Sequence, residues 1–169
     1  FMGRAGEEAR RSIIAEAHRR NCETKEFYAT LLVVAHVPWA GRELVVVLQV
    51  GDGAVGVLTD EKCHRLGISD HGEYSSETRF LTTPNIELEF ENRVVFSIPQ
   101  RVKAIAVMSD GVSDDFYPED QRIPDLFNAD PIPSIVTSDG TPVRGVMHSV
   151  PQSSDPGASV LEWLRYEKR

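Results

Sequence analysis

Asp110 and Asp114 are the residues whose type and spacing best suit chemistry. They lie in Ser109-Asp110-Gly111-Val112-Ser113-Asp114-Asp115, directly after the apolar run from Val102 to Met108. That run is β-branched and apolar, so it reads as a buried strand. Asp-Gly breaks the strand and permits a tight turn. A helix starting there puts Asp110 and Asp114 four residues apart on one face. Two carboxylates delivered to one spot suit a hard divalent cation such as Mg²⁺ or Mn²⁺. A plain helix capped by Ser109 or Asp110 satisfies the same spacing, and spacing alone slightly favours it.

The elements that must position this corner follow from periodicity. Residues 4–20 read as a helix, with Ala5, Ala9, Ile13 and Ala17 on the face toward a sheet. Asn21 to Thr24 ends it. A strand is expected from Tyr28 to Val37, stopped by Pro38, and Trp39-Ala40-Gly41-Arg42 makes a hairpin. Glu43 to Val50 is nearly all apolar and reads as a strand buried on both faces. Gly51-Asp52-Gly53 interrupts it, and Ala54 to Thr59 resumes as a strand. Weaker strands are expected over 62–68 and 90–98, with a polar stretch at 69–84 between them. Residues 117–157 are rich in Pro, Asp and Ser, so they read as a long loop or insertion with short helices near 121–127 and 133–138. A last helix, 158–168, carries Val160, Leu161, Trp163 and Leu164. The order predicts an α+β fold of antiparallel sheets with helices packed outside. It lacks βαβ alternation, and no P-loop is present.

Composition narrows the function. The 169 residues fit a single domain, with 41% hydrophobic and 26% charged residues. The net charge of −8 argues against a nucleic-acid partner. No apolar run spans a bilayer and no signal peptide is apparent, so a cytoplasmic protein with no membrane partner is expected. Cys22 and Cys63 lack metal-site spacing and read as free thiols. The five histidines, among them His36, form no zinc pattern. Ser109 lacks a nucleophile elbow. Arg10, Arg11, Arg19 and Arg20 read as the solvated face of the first helix.

Four segments in order carry a family resemblance. They are Ala29-Thr30-Leu31-Leu32, Gln49-Val50-Gly51-Asp52-Gly53-Ala54, Gly72-Glu73-Tyr74-Ser75-Ser76-Glu77-Thr78-Arg79-Phe80-Leu81-Thr82, and Met108-Ser109-Asp110-Gly111-Val112-Ser113-Asp114. Together they resemble the bacterial branch of the metal-dependent protein phosphatases, the type 2C family. The resemblance implies two packed antiparallel sheets flanked by helices, an αββα sandwich. It implies hydrolysis of phosphoserine and phosphothreonine by water held between Mg²⁺ or Mn²⁺ ions. The implied partner is a phosphorylated protein, such as a kinase or its targets. Asp110 matches a ligand of the metal pair and Asp114 an accessory ligand. Glu26 stands roughly where an acidic residue lies near a third metal. Asp52 reads as a turn-holding residue, and Ser75 to Thr78 as part of a loop near the cleft.

The chain departs from the family pattern at both ends. It lacks the N-terminal Asp-Gly and the C-terminal Asp-Asp-x-Thr that supply further ligands. The expectation is therefore a fragment of a longer phosphatase domain, which alone would turn over poorly. The alternative is a catalytically incomplete phosphatase-like module that binds or regulates a phosphorylated partner.

Overall fold

The structure, a computed structural model, describes residues 1–70, 78–116, 119–127, 131–136 and 142–144. The chain divides into two compact units, Phe1–Val112 and Ser113–Arg169. The first opens with helix α1, Met2–Arg20, closed by Asn21 in the left-handed conformation. Two three-stranded antiparallel sheets follow. One has the order β1-β2-β5, with β1 at Leu31–Trp39, β2 at Arg42–Val50 and β5 at Val94–Ser97. The other has the order β4-β3-β6, with β3 at Ala54–Thr59, β4 at Cys63–Arg65 and β6 at Val102–Met108. These sheets and helices agree with the α+β expectation.

Strand β2 is buried on both faces because both sets of its side chains find apolar partners. Val45 and Val47 join Val55 and Val57 of β3 in one buried cluster, edged by Leu32, Val34, Val95 and Ile105. Leu48 and Val50 join Met2, Leu81, Ile86 and Phe90 in another, against which Ala9 and Ile13 of α1 pack. The alternation of strand side chains separates the two clusters. Arg10 departs from the solvated face expected of it. Its guanidinium is largely buried, donates to the Leu81 carbonyl at 2.9 Å and pairs with Glu87 at 2.9 Å. Arg11, Arg19 and Arg20 do stand in solvent, paired with Glu8 and Glu16.

Several boundaries differ from the periodic reading, each for a physical reason. Strand β1 begins at Leu31, because Tyr28 turns aside to stack on Phe80 with ring centroids 4.7 Å apart. It also runs through Pro38 instead of stopping there. Glu43 donates its N–H to the Pro99 carbonyl, away from β1, so the Pro38–Glu43 pair is not a hydrogen-bonded one. The missing N–H of Pro38 thus faces the outer rim, where no ladder bond is lost. Ala40 and Gly41, with φ of 49° and 77°, make the two-residue turn. The strand expected at 90–98 is shortened to Val94–Ser97, because a 3-10 turn over Ile86–Glu89 delivers Phe90 into the core.

In the second unit, a 3-10 turn at Asp114–Phe116 precedes helix α3, Glu119–Phe127, which agrees with the helix expected near 121–127. The helix expected near 133–138 is corrected. Residues Pro131–Val136 form strand β7, paired antiparallel with β8 at Pro142–Arg144. Two prolines and three β-branched residues in Pro-Ile-Pro-Ser-Ile-Val disfavour helix and favour an extended chain. The described residues of the 117–157 stretch thus hold one of the two expected short helices and, where the other was expected, a strand pair. The helix expected over 158–168 lies outside the described residues. Among the described residues, no helix is long and apolar enough to cross a membrane.

Phe90 is fully buried where α1 and β2 meet. Phe90→Ala should lower stability by about 3–5 kcal/mol in urea unfolding, the usual cost of removing a core aromatic ring.

Candidate functional site

The β3–β6 ladder ends with Ala54 opposite Met108. Asp52 lies two residues before that pair and Asp110 two residues after it, so the register brings both to the same end of the sheet. Asp110 opens helix α2, Asp110–Ser113, and is exposed. Its Oδ1 accepts the Gly111 N–H at 2.8 Å, and among the described residues Oδ2 has no partner. The carboxylate therefore bonds the next residue's amide instead of reaching the second or third amide of the helix, as a helix cap would.

The Gly51-Asp52-Gly53 turn is held from all sides. Gln49, fully buried, donates its amide to the Gly51 carbonyl at 3.1 Å and also to the Gly53 carbonyl. Asp70 grips Gly51 twice: its N–H donates to the Gly51 carbonyl at 3.0 Å, and its Oδ2 accepts the Gly51 N–H at 2.8 Å. Arg93 in turn donates to both Asp70 oxygens, at 3.0 and 2.8 Å. Both side chains of this pair are less than a tenth exposed. Arg93 also donates to Glu89 at 2.9 Å and to the Gln49 carbonyl at 3.4 Å. Burial works against its charge, but the bonds to Asp70 and Glu89 prevail and raise its pKa. Glu89 is held below the usual carboxylate range, chiefly by Arg93.

Sterics make the turn specific. Gly51 sits at φ 107°, in a region L side chains rarely adopt, and a Cβ there would meet the Thr30 side chain. A Cβ on Gly53 would collide with the Met108 carbonyl and come within 2.8 Å of Leu32 Cδ1. The turn is thus pressed against the last residue of β6, one position before Ser109-Asp110. Asp52 is half-buried, and its Oδ2 accepts the Thr78 hydroxyl at 2.6 Å, in keeping with a turn-holding role.

Asp114 and Glu26, the other expected ligands, both lie in 3-10 turns. Helix α2 ends at Ser113, so Asp114 starts the 3-10 turn instead of continuing the helix on which the four-residue spacing rests. Asp114 also belongs to the second unit and Asp110 to the first. Glu26 closes a capping box: its carboxylate accepts the Glu23 N–H at 3.0 Å at the start of a 3-10 turn, Thr24–Phe27. Ser75, Ser76 and Glu77 lie outside the described residues. Among the described residues, no group of three or more His, Cys, Asp or Glu could hold a metal ion. Asp110 is a suitable hard oxygen donor, but the described carboxylates fall short of a complete ligand set.

Residues missed from sequence are Gln49, Asp70 and Arg93, which hold the turn. Gln49 is the one polar residue in an apolar strand (Leu44 to Val50), a signal that could have marked it. Asp70 and Arg93 lie 23 positions apart, and no local pattern joins them.

A family model described as protein phosphatase 2C matches residues 3–133. The chain belongs to that family, which points to phosphatase activity. No curated protein and no solved structure matches it.

Gly53→Ala should cost more than about 2 kcal/mol in urea unfolding, since the backbone of either β6 or the turn must move. Glu43 offers a pH test at the far end of the same sheets. Its carboxylate accepts the Val102 N–H at 2.8 Å and contacts His36 at 2.9 Å, and these bonds lower its pKa in that order of importance. A lowered folded-state pKa stabilises the fold above the ordinary glutamate range, and this contribution is lost as pH falls through the folded value. Glu43→Gln should therefore flatten the acid limb of the stability–pH curve measured by thermal melts.

Proposed function

We propose that the protein is a metal-dependent serine/threonine protein phosphatase that removes phosphate from a phosphorylated protein, with Asp110 as a ligand of Mg²⁺ or Mn²⁺. The observation that carries the reading is Asp110 itself. It is an exposed carboxylate with one oxygen unbonded among the described residues, at a strand end braced by the Gly51-Asp52-Gly53 turn. The shared cluster of Val45, Val47, Val55 and Val57 supports stacking of the two sheets as the inner layers of an αββα sandwich. A divalent ion, when bound, neutralises the phosphate charge and makes a coordinated water acidic. The chain's own part is to hold Asp110 rigidly at the corner and to keep Asp52 turned toward Thr78. Asp114 is the proposed accessory ligand, with Glu26 a weaker candidate because its carboxylate already serves the capping box.

A second reading is favoured by the short ligand set among the described residues. It is a phosphatase-like module that binds a phosphorylated partner without hydrolysing it.

The intact protein should hydrolyse p-nitrophenyl phosphate and a phosphoserine peptide when Mn²⁺ is present, and stop with EDTA. Asp110→Asn should fold normally and lose at least about 100-fold in kcat/KM, the upper end of what losing even an outer partner of a metal ligand costs. Retained turnover in Asp110→Asn would remove Asp110 from the reaction. A folded, wholly inactive wild type that still binds the phosphopeptide would establish the second reading.

A further inference from the structure

We infer that Arg93 and Asp70 are positioning residues: their buried pair fixes the Gly51–Gly53 turn and, through the contact of Gly53 with Met108, the corner that carries Asp110. This inference rests on the proposed phosphatase reading for its link to activity, but its mechanical part stands on geometry alone.

The geometry forms a continuous chain. Arg93 presents two nitrogens to the two oxygens of Asp70, which fixes the plane of that carboxylate. One of those oxygens also takes the Gly51 N–H, so orienting the carboxylate orients the turn. The backbone N–H of Asp70 holds the Gly51 carbonyl from the same side. Arg93 reaches the Gln49 carbonyl as well, and Gln49 holds the carbonyls of Gly51 and Gly53. Gly53 lies so close to the Met108 carbonyl that it admits no side chain. Displacement of the turn is thus passed to the residue that precedes Ser109-Asp110.

The pair is also isolated from solvent, which suits a positioning role. An exposed ion pair would flex and be screened by salt. Here both side chains are less than a tenth exposed, and leaving either charge alone would be costly. Arg93 touches neither Asp110 nor Asp52 among its hydrogen bonds, so its effect on the corner passes through other residues.

The test uses the intact protein and two variants, Arg93→Met and Arg93→Lys. Backbone hydrogen exchange is followed in peptides covering 49–54, 108–111 and, as a control, 44–48. In Arg93→Met, exchange should quicken in the first two and stay unchanged in the control, which a merely looser fold would not produce. With p-nitrophenyl phosphate and Mn²⁺, kcat per folded molecule should fall roughly tenfold while KM stays within about twofold, the signature of misplaced rather than missing groups. Arg93→Lys keeps the charge without the fork and should recover part of both effects. Unchanged exchange at 108–111, or an unaltered kcat in the folded fraction, would overturn the inference. If Arg93→Met does not fold, Asp70→Asn is read by the same criteria. A wild type without turnover would defeat the phosphatase reading, and the exchange data would still decide whether the clamp reaches the corner.

Discussion

The tight turn between β2 and β3 can exist only because its backbone is answered from inside the fold. A chain that reverses at Gly51 with φ 107° leaves two carbonyls and an amide turned away from any strand partner. Such groups are expensive to bury unpaired. Gln49 supplies the donors and Asp70 the acceptor, and Arg93 neutralises the charge this places inside. The consequence reaches both sheets, since β2 belongs to one and β3 to the other. Without that turn the strand that starts at Ala54 would have no fixed origin, and neither would its partner β6.

The apolar core is arranged around the same constraint. Alternate residues of β2 point into different clusters, one reaching β3 and the other reaching α1 through Leu48 and Phe90. Burial on both faces makes a one-residue slip of β2 intolerable. Register is therefore specified twice, once by the two-residue hairpin at Ala40-Gly41 and once by the valines themselves. A well-registered β2 is what brings Gln49 beneath the turn it must hold.

Much of this was legible from the residues. Strand β6 and its Ser-Asp-Gly end, strand β3, helix α1 and the β1–β2 hairpin follow from short-range patterns, and the structure agrees with them to within a few positions. The periodic reading failed where one side chain overrode its neighbours. Phe90 sits in an alternating stretch that looks extended, yet the core claims its ring and bends the chain. Pro38 looks like a stop, but which way its nitrogen faces depends on the pairing of Glu43, a tertiary fact. The short helix expected near 133–138 fails because Pro131-Ile132-Pro133 and the β-branched residues after it favour an extended chain, which the pairing with Pro142–Arg144 completes. At the candidate site, Asp110 and the Gly-Asp-Gly motif were visible as residue types. The brace behind them was not, because charge pairing across 23 positions leaves no trace in local spacing. The capping role of Glu26 could have been foreseen from Glu23-Thr24-Lys25-Glu26, which places acidic side chains three apart at a helix start.

The outward nitrogen of Pro38 has a bearing on how this molecule behaves in a crowd. Among the described residues β1 is a rim strand, and a rim offers free amides to any foreign strand that drifts alongside. A neighbour zipping along Leu31 to Val37 would find, at Pro38, a ring with no hydrogen to give and carbon atoms in the way. The outer edge of β1 therefore lacks a donor at Pro38, just before the exposed indole of Trp39. A residue that costs nothing within the sheet's own ladder thus shortens the edge that a foreign strand could follow.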